Sequence, residues 1–200
     1  MSVEQRRIAR RTMIQAGIVT GLGLLPAIAG LTGIALAAEP ETESGDMNMD
    51  ALIAALKSIG GSVCLDAASK LETVNANSGG FDLHLRRAKL GAQDALILAN
   101  ALQQMPDLAT HYLRSFSASY NPDLNDAGAI VLAGSFPKTM TELGLVGCSL
   151  GDAGGTAILE WAQKASSLRM VCVEGNNFSS GLKSEFARLG RLNASLMIVV

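Results

Sequence analysis

Between Leu83 and Phe178 one arrangement of apolar residues recurs four times: two apolar positions two apart, then a third five or six positions on. It reads Leu83-x-Leu85 with Leu90, Phe116-x-Ala118 with Leu124, Leu143-x-Leu145 with Leu150, and Val171-x-Val173 with Phe178. Alternation at period two predicts a short strand with one buried face, and the third residue closes a turn beneath it. The period then changes, because Ala95, Leu98, Ala99 and Leu102 fall at helical spacing, as do Ala129, Leu132, Ala133 and Phe136. A strand, turn and helix of this size cannot bury their own apolar face. Neighbouring units must stack, and the expected class is α/β, a parallel sheet backed by helices.

The third apolar residues lie 34, 26 and 28 positions apart, from Leu90 to Leu124, Leu150 and Phe178, so the second unit is the least regular. The strings Leu143-Gly-Leu-Val-Gly-Cys-Ser-Leu-Gly-Asp-Ala-Gly154 and Val171-Cys-Val-Glu-Gly-Asn-Asn-Phe178 resemble the leucine-rich repeat family, in its ribonuclease-inhibitor-like subclass. The resemblance implies a short solenoid with parallel strands on the concave side and helices on the convex side. It also implies that an Asn or Cys three residues after the second strand leucine bonds the loop backbone. Asn121, Cys148 and Asn176 occupy that place, whereas the first unit departs from the pattern with Ala88. The resemblance runs from about residue 81 to residue 189, and upstream Val63-Cys64-Leu65 reads as a degenerate first strand. Such a motif is specific for fold and unspecific for function.

Composition narrows the picture. A 200-residue chain with 48% hydrophobic side chains buries a real core as one elongated domain, and 4% aromatics leave Leu, Ile, Val and Ala to pack it. Four of the sixteen basic and one of the eighteen acidic residues lie in residues 1–37, so the remainder sets twelve against seventeen, a formal charge of −5. That balance argues against a sequence-independent grip on nucleic acid.

Residues 1–38 read as an address. Arg6, Arg7, Arg10 and Arg11 precede an uncharged run, residues 12–38, that ends in small residues, the three parts of an export signal. Ala35-Leu-Ala37 is one small-x-small cleavage site and Ala27-Ile-Ala29 a second. Arg10-Arg11-Thr-Met-Ile-Gln15 resembles a bacterial twin-arginine signal, which implies export of a folded protein across the inner membrane. The same run satisfies the roughly 20 residues of a membrane span. An uncleaved hydrophobic helix over residues 16–38, with its amino end in the cytoplasm, is therefore the alternative to cleavage, and an organellar transit peptide is a third reading. The expected location is the periplasm or the outer face of the inner membrane. Residues 39–47 read as a flexible acidic linker and residues 48–200 as the repeat domain. That domain opens on a helix capped by Asn48, whose stripe of Leu52, Leu56 and Ile59 covers the first end of the sheet. At the other end, Leu196-Met-Ile-Val-Val200 adds a final strand or leaves an open edge for a partner, the strand being the plainer reading.

Strand alternation names the outward residues: Asp82, His84 and Arg86, then Ser115, Ser117 and Ser119, then Glu142, Gly144 and Val146, then Met170, Cys172 and Glu174. A broad face with no enclosed pocket suits a protein partner, which makes these the candidate partner-binding residues. Asp82, His84 and Arg86 in a row are also the groups of an acid/base site, yet alternation alone brings them together and no nucleophile accompanies them, so no catalytic residue is expected. His111 takes no direction from the pattern. Cys148 faces inward and Cys172 outward, while Cys64 shares the phase of Cys172 in a distant unit, so three unpaired thiols are expected. With no Cys-x-x-Cys and no close Cys and His pair, neither a metal nor another cofactor is expected. Trp161 either anchors a partner or packs against the next helix, the second being expected. Gly91, Gly151 and Gly154 read as turn glycines and form no phosphate-cradling loop. The leading expectation is an exported, non-enzymatic protein-binding module. The alternative is an accessory or structural subunit of a membrane complex, tethered by its amino-terminal helix, and an enzyme using Cys172 or His84 ranks third.

Overall fold

A computed structural model describes residues 49–74, 79–105 and 112–200. The address, the linker, Asn48 and His111 lie outside the described residues. Helices α1 (Asp50–Ile59) and α2 (Gly61–Leu71) lead into strand β1 (Phe81–His84), which is followed by α3 (Ala92–Gln104) and β2 (Leu113–Ser117). A 3-10 turn (Pro122–Leu124) runs into α4 (Asn125–Ser135), and β3 (Glu142–Gly144), α5 (Asp152–Ala162), β4 (Met170–Cys172), α6 (Ser180–Leu192) and β5 (Met197–Val199) complete the order. The strands form one sheet in the order β1-β2-β3-β4-β5, with every neighbouring pair parallel. The expected α/β class with a parallel sheet is what the chain adopts.

A parallel sheet covered on both faces needs near-continuous apolar strands. Here burial alternates instead: Leu83 and Leu85, Phe116 and Ala118, Leu143 and Leu145, and Val171 and Val173 are buried, and the residues between them turn to the other face. Helices therefore back one face only. Along that layer α3 packs on α4, α4 on α5 and α5 on α6, while α1 packs on α3 and α2 meets β1. Leu52 and Leu56 are fully buried, as the stripe of the opening helix requires.

Val63, Cys64 and Leu65 are helical, not a strand. Cys64, Ala67, Ala68 and Leu71 line the buried side of α2, so the spacing of three and four across the whole segment overrides a two-residue alternation. Cys64 accordingly points into the core and shares no outward phase with Cys172. The final segment does add a strand, with Val171 opposite Ile198. One residue of the second unit's extra length is a bulge: Phe81 pairs with Leu113 but Asp82 pairs with Ser115, leaving Arg114 as the extra residue. Its guanidinium turns to the Asp82 carboxylate at 3.2 Å. Both groups are half exposed, so this pair contributes about 0–1 kcal/mol.

Backbone pairing continues past the strand ends, from Arg87 N–H to Ser119 O, Tyr120 N–H to Val146 O and Gly147 N–H to Glu174 O. The loops thus stack in register like the strands. Asn121 and Asn176 hold them from within. The Asn121 amide donates to the carbonyls of Leu85 and Ala118 and accepts from Leu90 N–H. Asn176 treats Leu145, Val173, Cys148 and Leu150 the same way. Each Asn therefore serves the loop of the preceding unit as well as its own. This explains Ala88, which stands in the first unit, where no earlier repeat loop needs a donor, and which packs against the core instead. Cys148 has only a thiol to give and donates to Ala118 O at 3.2 Å. It offers no amide acceptor, and the second loop closes on itself through Leu124 N–H to Asn121 O, within the 3-10 turn.

Carboxylates at the helix starts also bond the backbone, one at its own helix start and two in the following unit. Asp94 accepts from Gly91 N–H, Asp126 from Gly151 and Gly154 N–H, and Asp152 from Ser179 N–H. The bonds from Ser179 hold the Asp152 carboxyl below its usual range. Gly154 is thus a residue of α5 and not a turn glycine. Trp161 is buried and faces backward rather than toward the next helix: its ring meets Phe136 at 5.5 Å and its N–H donates to Phe136 O at 3.2 Å.

Candidate functional site

Four strands contribute to one cleft on the open face of the sheet. His84, Arg86, Ser115, Ser117, Ser119, Glu142, Gly144, Met170 and Cys172 line it over a floor of Phe116 and Leu143, and it encloses about 330 Å³. The expected broad face without a pocket is thus hollowed at its centre. The cause is side-chain size, since three serines and Gly144 lie between the longer His84, Arg86, Glu142 and Met170. A Cβ on Gly144 would stand 3.0 Å from Ser117 Oγ and 3.3 Å from Ser119 Oγ, so the glycine keeps the cleft open. Asp82, Val146 and Glu174, also outward positions, lie outside this lining.

Outward direction does not guarantee exposure. Ser115 and Ser119 are 7% and 6% exposed, because longer neighbours on adjacent strands close over them. The polar groups are joined across the strands: His84 Nε2 lies 3.1 Å from Ser115 Oγ, and Ser115 donates to Glu142 Oε2 at 3.2 Å. A hydroxyl therefore does accompany His84, contrary to the expectation from sequence. Its single proton goes to Glu142, which leaves Nε2–H of His84 as the donor to Ser115. In that arrangement the imidazole offers the serine no lone pair and cannot act as its base. Ser119 accepts from Val146 N–H, a second link between the β2 and β3 segments, and meets Ser117 at 3.3 Å along its own segment.

Cys172 lies on the open face and Cys148 beneath it, and all three thiols are unpaired. Burial pushes the Cys172 thiol up, and the charges of Glu174 and Glu142 push it further. The thiolate is the reactive species, so this cysteine is poorly poised for attack at neutral pH. Iodoacetamide is expected to modify it more slowly than free cysteine, with the rate climbing only above the ordinary thiol range, and Glu142→Gln is expected to speed the reaction by removing one like charge. Mass spectrometry of the labelled chain checks both. Glu174 Oε2 is shielded from solvent and has no hydrogen-bond partner among the described residues. Among those residues, no group of three or more His, Cys, Asp or Glu side chains is arranged to hold a metal ion.

At one rim of the cleft the guanidinium carbons of Arg86 and Arg87 stand 4.4 and 5.0 Å from the ring centre of Tyr120. Sequence reasoning found Arg86 but missed Arg87, Tyr120 and Arg114. Arg87 and Tyr120 follow the second strand leucine and its counterpart Ala118 by two, the one equivalence that would have paired them.

No protein-family model matches the chain, and no curated protein is similar to it. Among solved structures, a chain in a structure of Chaetomium Mex67:Mtr2 subunits is similar over 66% of this chain and 86% of that chain, with 18% sequence identity and a TM-score of 0.45. A likeness of that size transfers neither fold nor function.

Proposed function

We propose that this chain is a non-enzymatic binding module of the leucine-rich repeat type, which docks another protein on the open face of its sheet. One observation carries the reading: outward residues of four successive strands, each named by alternation, line a single shallow cleft. Its polar groups are bonded to one another, across strands from His84 to Ser115 to Glu142 and along one strand from Ser117 to Ser119, instead of converging on a site for a reacting atom. The raised Cys172 thiol and the engaged imidazole of His84 favour binding over catalysis. The loops held by Asn121 and Asn176 support the repeat reading, since each amide joins consecutive units.

Export to the periplasm or the outer face of the inner membrane is proposed from residues 1–38, through Arg10 and Arg11 and cleavage beside Ala35 and Ala37. No helix among the described residues is long and apolar enough to cross a membrane, so the tethered-subunit reading rests on residues 16–38. Intact mass of the chain from purified envelopes separates the two. Loss of about the first 29 or 37 residues eliminates the tether, and a full-length chain eliminates cleavage.

Ser117→Arg fills the cleft from its centre. It is expected to reduce co-purification of the partner by about tenfold or more while leaving the thermal midpoint nearly unchanged. Equal recovery of the partner by this variant and by the parent chain would remove the open face from consideration.

A further inference from the structure

Two residues beyond the second inward strand position, every unit turns through left-handed backbone: Arg87 at φ 55°, Tyr120 at 62°, Gly147 at 58° and Gly175 at 72°. Glycine adopts this conformation freely and an L side chain does so at a cost. The third and fourth units place glycine there. The first two place an arginine and a tyrosine, and these strained residues meet, with Arg86 on the same ring. Lys89, Asn125 and Ser149 also take positive φ elsewhere in the loops, so what sets Arg87 and Tyr120 apart is that glycine fills their equivalent positions and that their side chains meet, which points to a task for those side chains.

The charges point the same way. Neither guanidinium has a hydrogen-bond or ion-pair partner among the described residues, and Lys89, exposed in the same loop, has none either. Like charges drawn to one ring without a counter-ion repel each other, and an anion between them relieves the repulsion. We infer that Arg86, Arg87 and Tyr120 form a receptor corner for an acidic segment of the protein partner, an inference that rests on the open face being the docking face. A planar guanidinium matches a carboxylate through two parallel hydrogen bonds, and the tyrosine ring holds both side chains in place before the carboxylate arrives. Arg86 also lines the cleft, so a segment lying along the sheet reaches the corner without a break. Asp82, Glu142 and Glu174 on the same face, with a formal charge of −5 beyond residue 37, repel any extended polyanion, so what fits is one or two carboxylates placed at the corner itself on an otherwise uncharged stretch.

A fluorescein-labelled peptide carrying one Asp-Glu pair among uncharged residues is the probe, titrated into the full chain by anisotropy and followed by amide chemical shifts. Shifts concentrated at residues 86–89 and at Tyr120 are expected. Arg86→Gln is expected to bind about tenfold more weakly, and Arg188→Gln on α6 to bind as the parent chain does. Arg87→Gly is the sharper variant: it should weaken the probe by a similar factor while raising the thermal midpoint, because the strain is relieved. Equal loss from Arg86→Gln and Arg188→Gln overturns the corner, as does tighter binding of a single-stranded oligonucleotide or of phosphatidylglycerol vesicles. Retention of the natural partner by Arg87→Gly, with its loss from Ser117→Arg, would reject the corner and keep the cleft.

Discussion

Asn121→Ala is expected to destabilise the chain by about 3–5 kcal/mol. Asn121 is fully buried, and its side chain satisfies three backbone groups of two loops: Leu90 N–H at 3.0 Å, Leu85 O at 2.9 Å and Ala118 O at 2.7 Å. Leu85, Leu90 and Ala118 are themselves fully buried, so alanine strands these groups away from water. Each unsatisfied group costs about 1–3 kcal/mol, and relaxation of the loops recovers part of the sum. Aspartate is no remedy, because it keeps the acceptor and loses both donors. Equilibrium unfolding in urea, followed by circular dichroism, checks the value. Asn100→Ala on the exposed side of α3 serves as control, with an expected change of about 0.5 kcal/mol in the stabilising direction. A loss below about 1 kcal/mol for Asn121→Ala would mean that the loop backbone finds other partners, and that the amide is not what ties the two units.

The same residue shows how far the sequence could be read. Its offset of three from Ala118 placed it at the loop, and the structure shows it there. What the offset could not show is direction: the amide reaches back to the preceding unit, and only that makes sense of Ala88. The strands were legible because alternation of Leu83 with Leu85, or Val171 with Val173, is a direct consequence of one-sided burial. Val63, Cys64 and Leu65 misled for the same reason, since three residues fit either period and the decision lay with Ala67, Ala68 and Leu71 further on. Trp161 was misdirected because spacing placed both it and Phe136 on apolar helix faces but did not show that the indole turns back to the Phe136 ring and carbonyl.

Contacts across the open face were legible only in part. His84 meets Ser115, Ser115 meets Glu142, and Arg86 and Arg87 meet Tyr120, each pair lying about one unit apart in the chain. Unit length brings equivalent positions side by side, so such pairs follow from the register, and the bulge at Arg114 shifts that register within β2. The helix-backed face fixes the strands through packing. The open face carries a smaller folding demand, met in part by the bonds among His84, Ser115 and Glu142, so its side chains are less constrained, as the cleft around Gly144 illustrates.

Gly154→Ala tests the helix layer that holds those strands, and it is expected to cost about 2–3 kcal/mol. A Cβ at Gly154 would lie 2.6 Å from Asp126 Oδ1, 3.0 Å from Asp126 Cα and 3.1 Å from Ala129 Cβ. Two of these atoms belong to the close approach of α4 and α5 and cannot rotate away. The third is the carboxylate oxygen that receives Gly151 N–H at 2.6 Å and Gly154 N–H at 3.0 Å, so relieving the clash also loosens the start of α5. Overpacking costs about 1–3 kcal/mol and a lost cap about 0.5–2 kcal/mol, against a gain of about 1 kcal/mol for alanine over glycine within a helix. Gly134→Ala isolates that gain, because no atom lies within 4 Å of a Cβ built there, near the end of α4. The same substitution should therefore raise the urea midpoint at Gly134 and lower it at Gly154. Shifts of one sign at both positions would mean that backbone propensity, and not the approach of the two helices, decides what residue 154 must be.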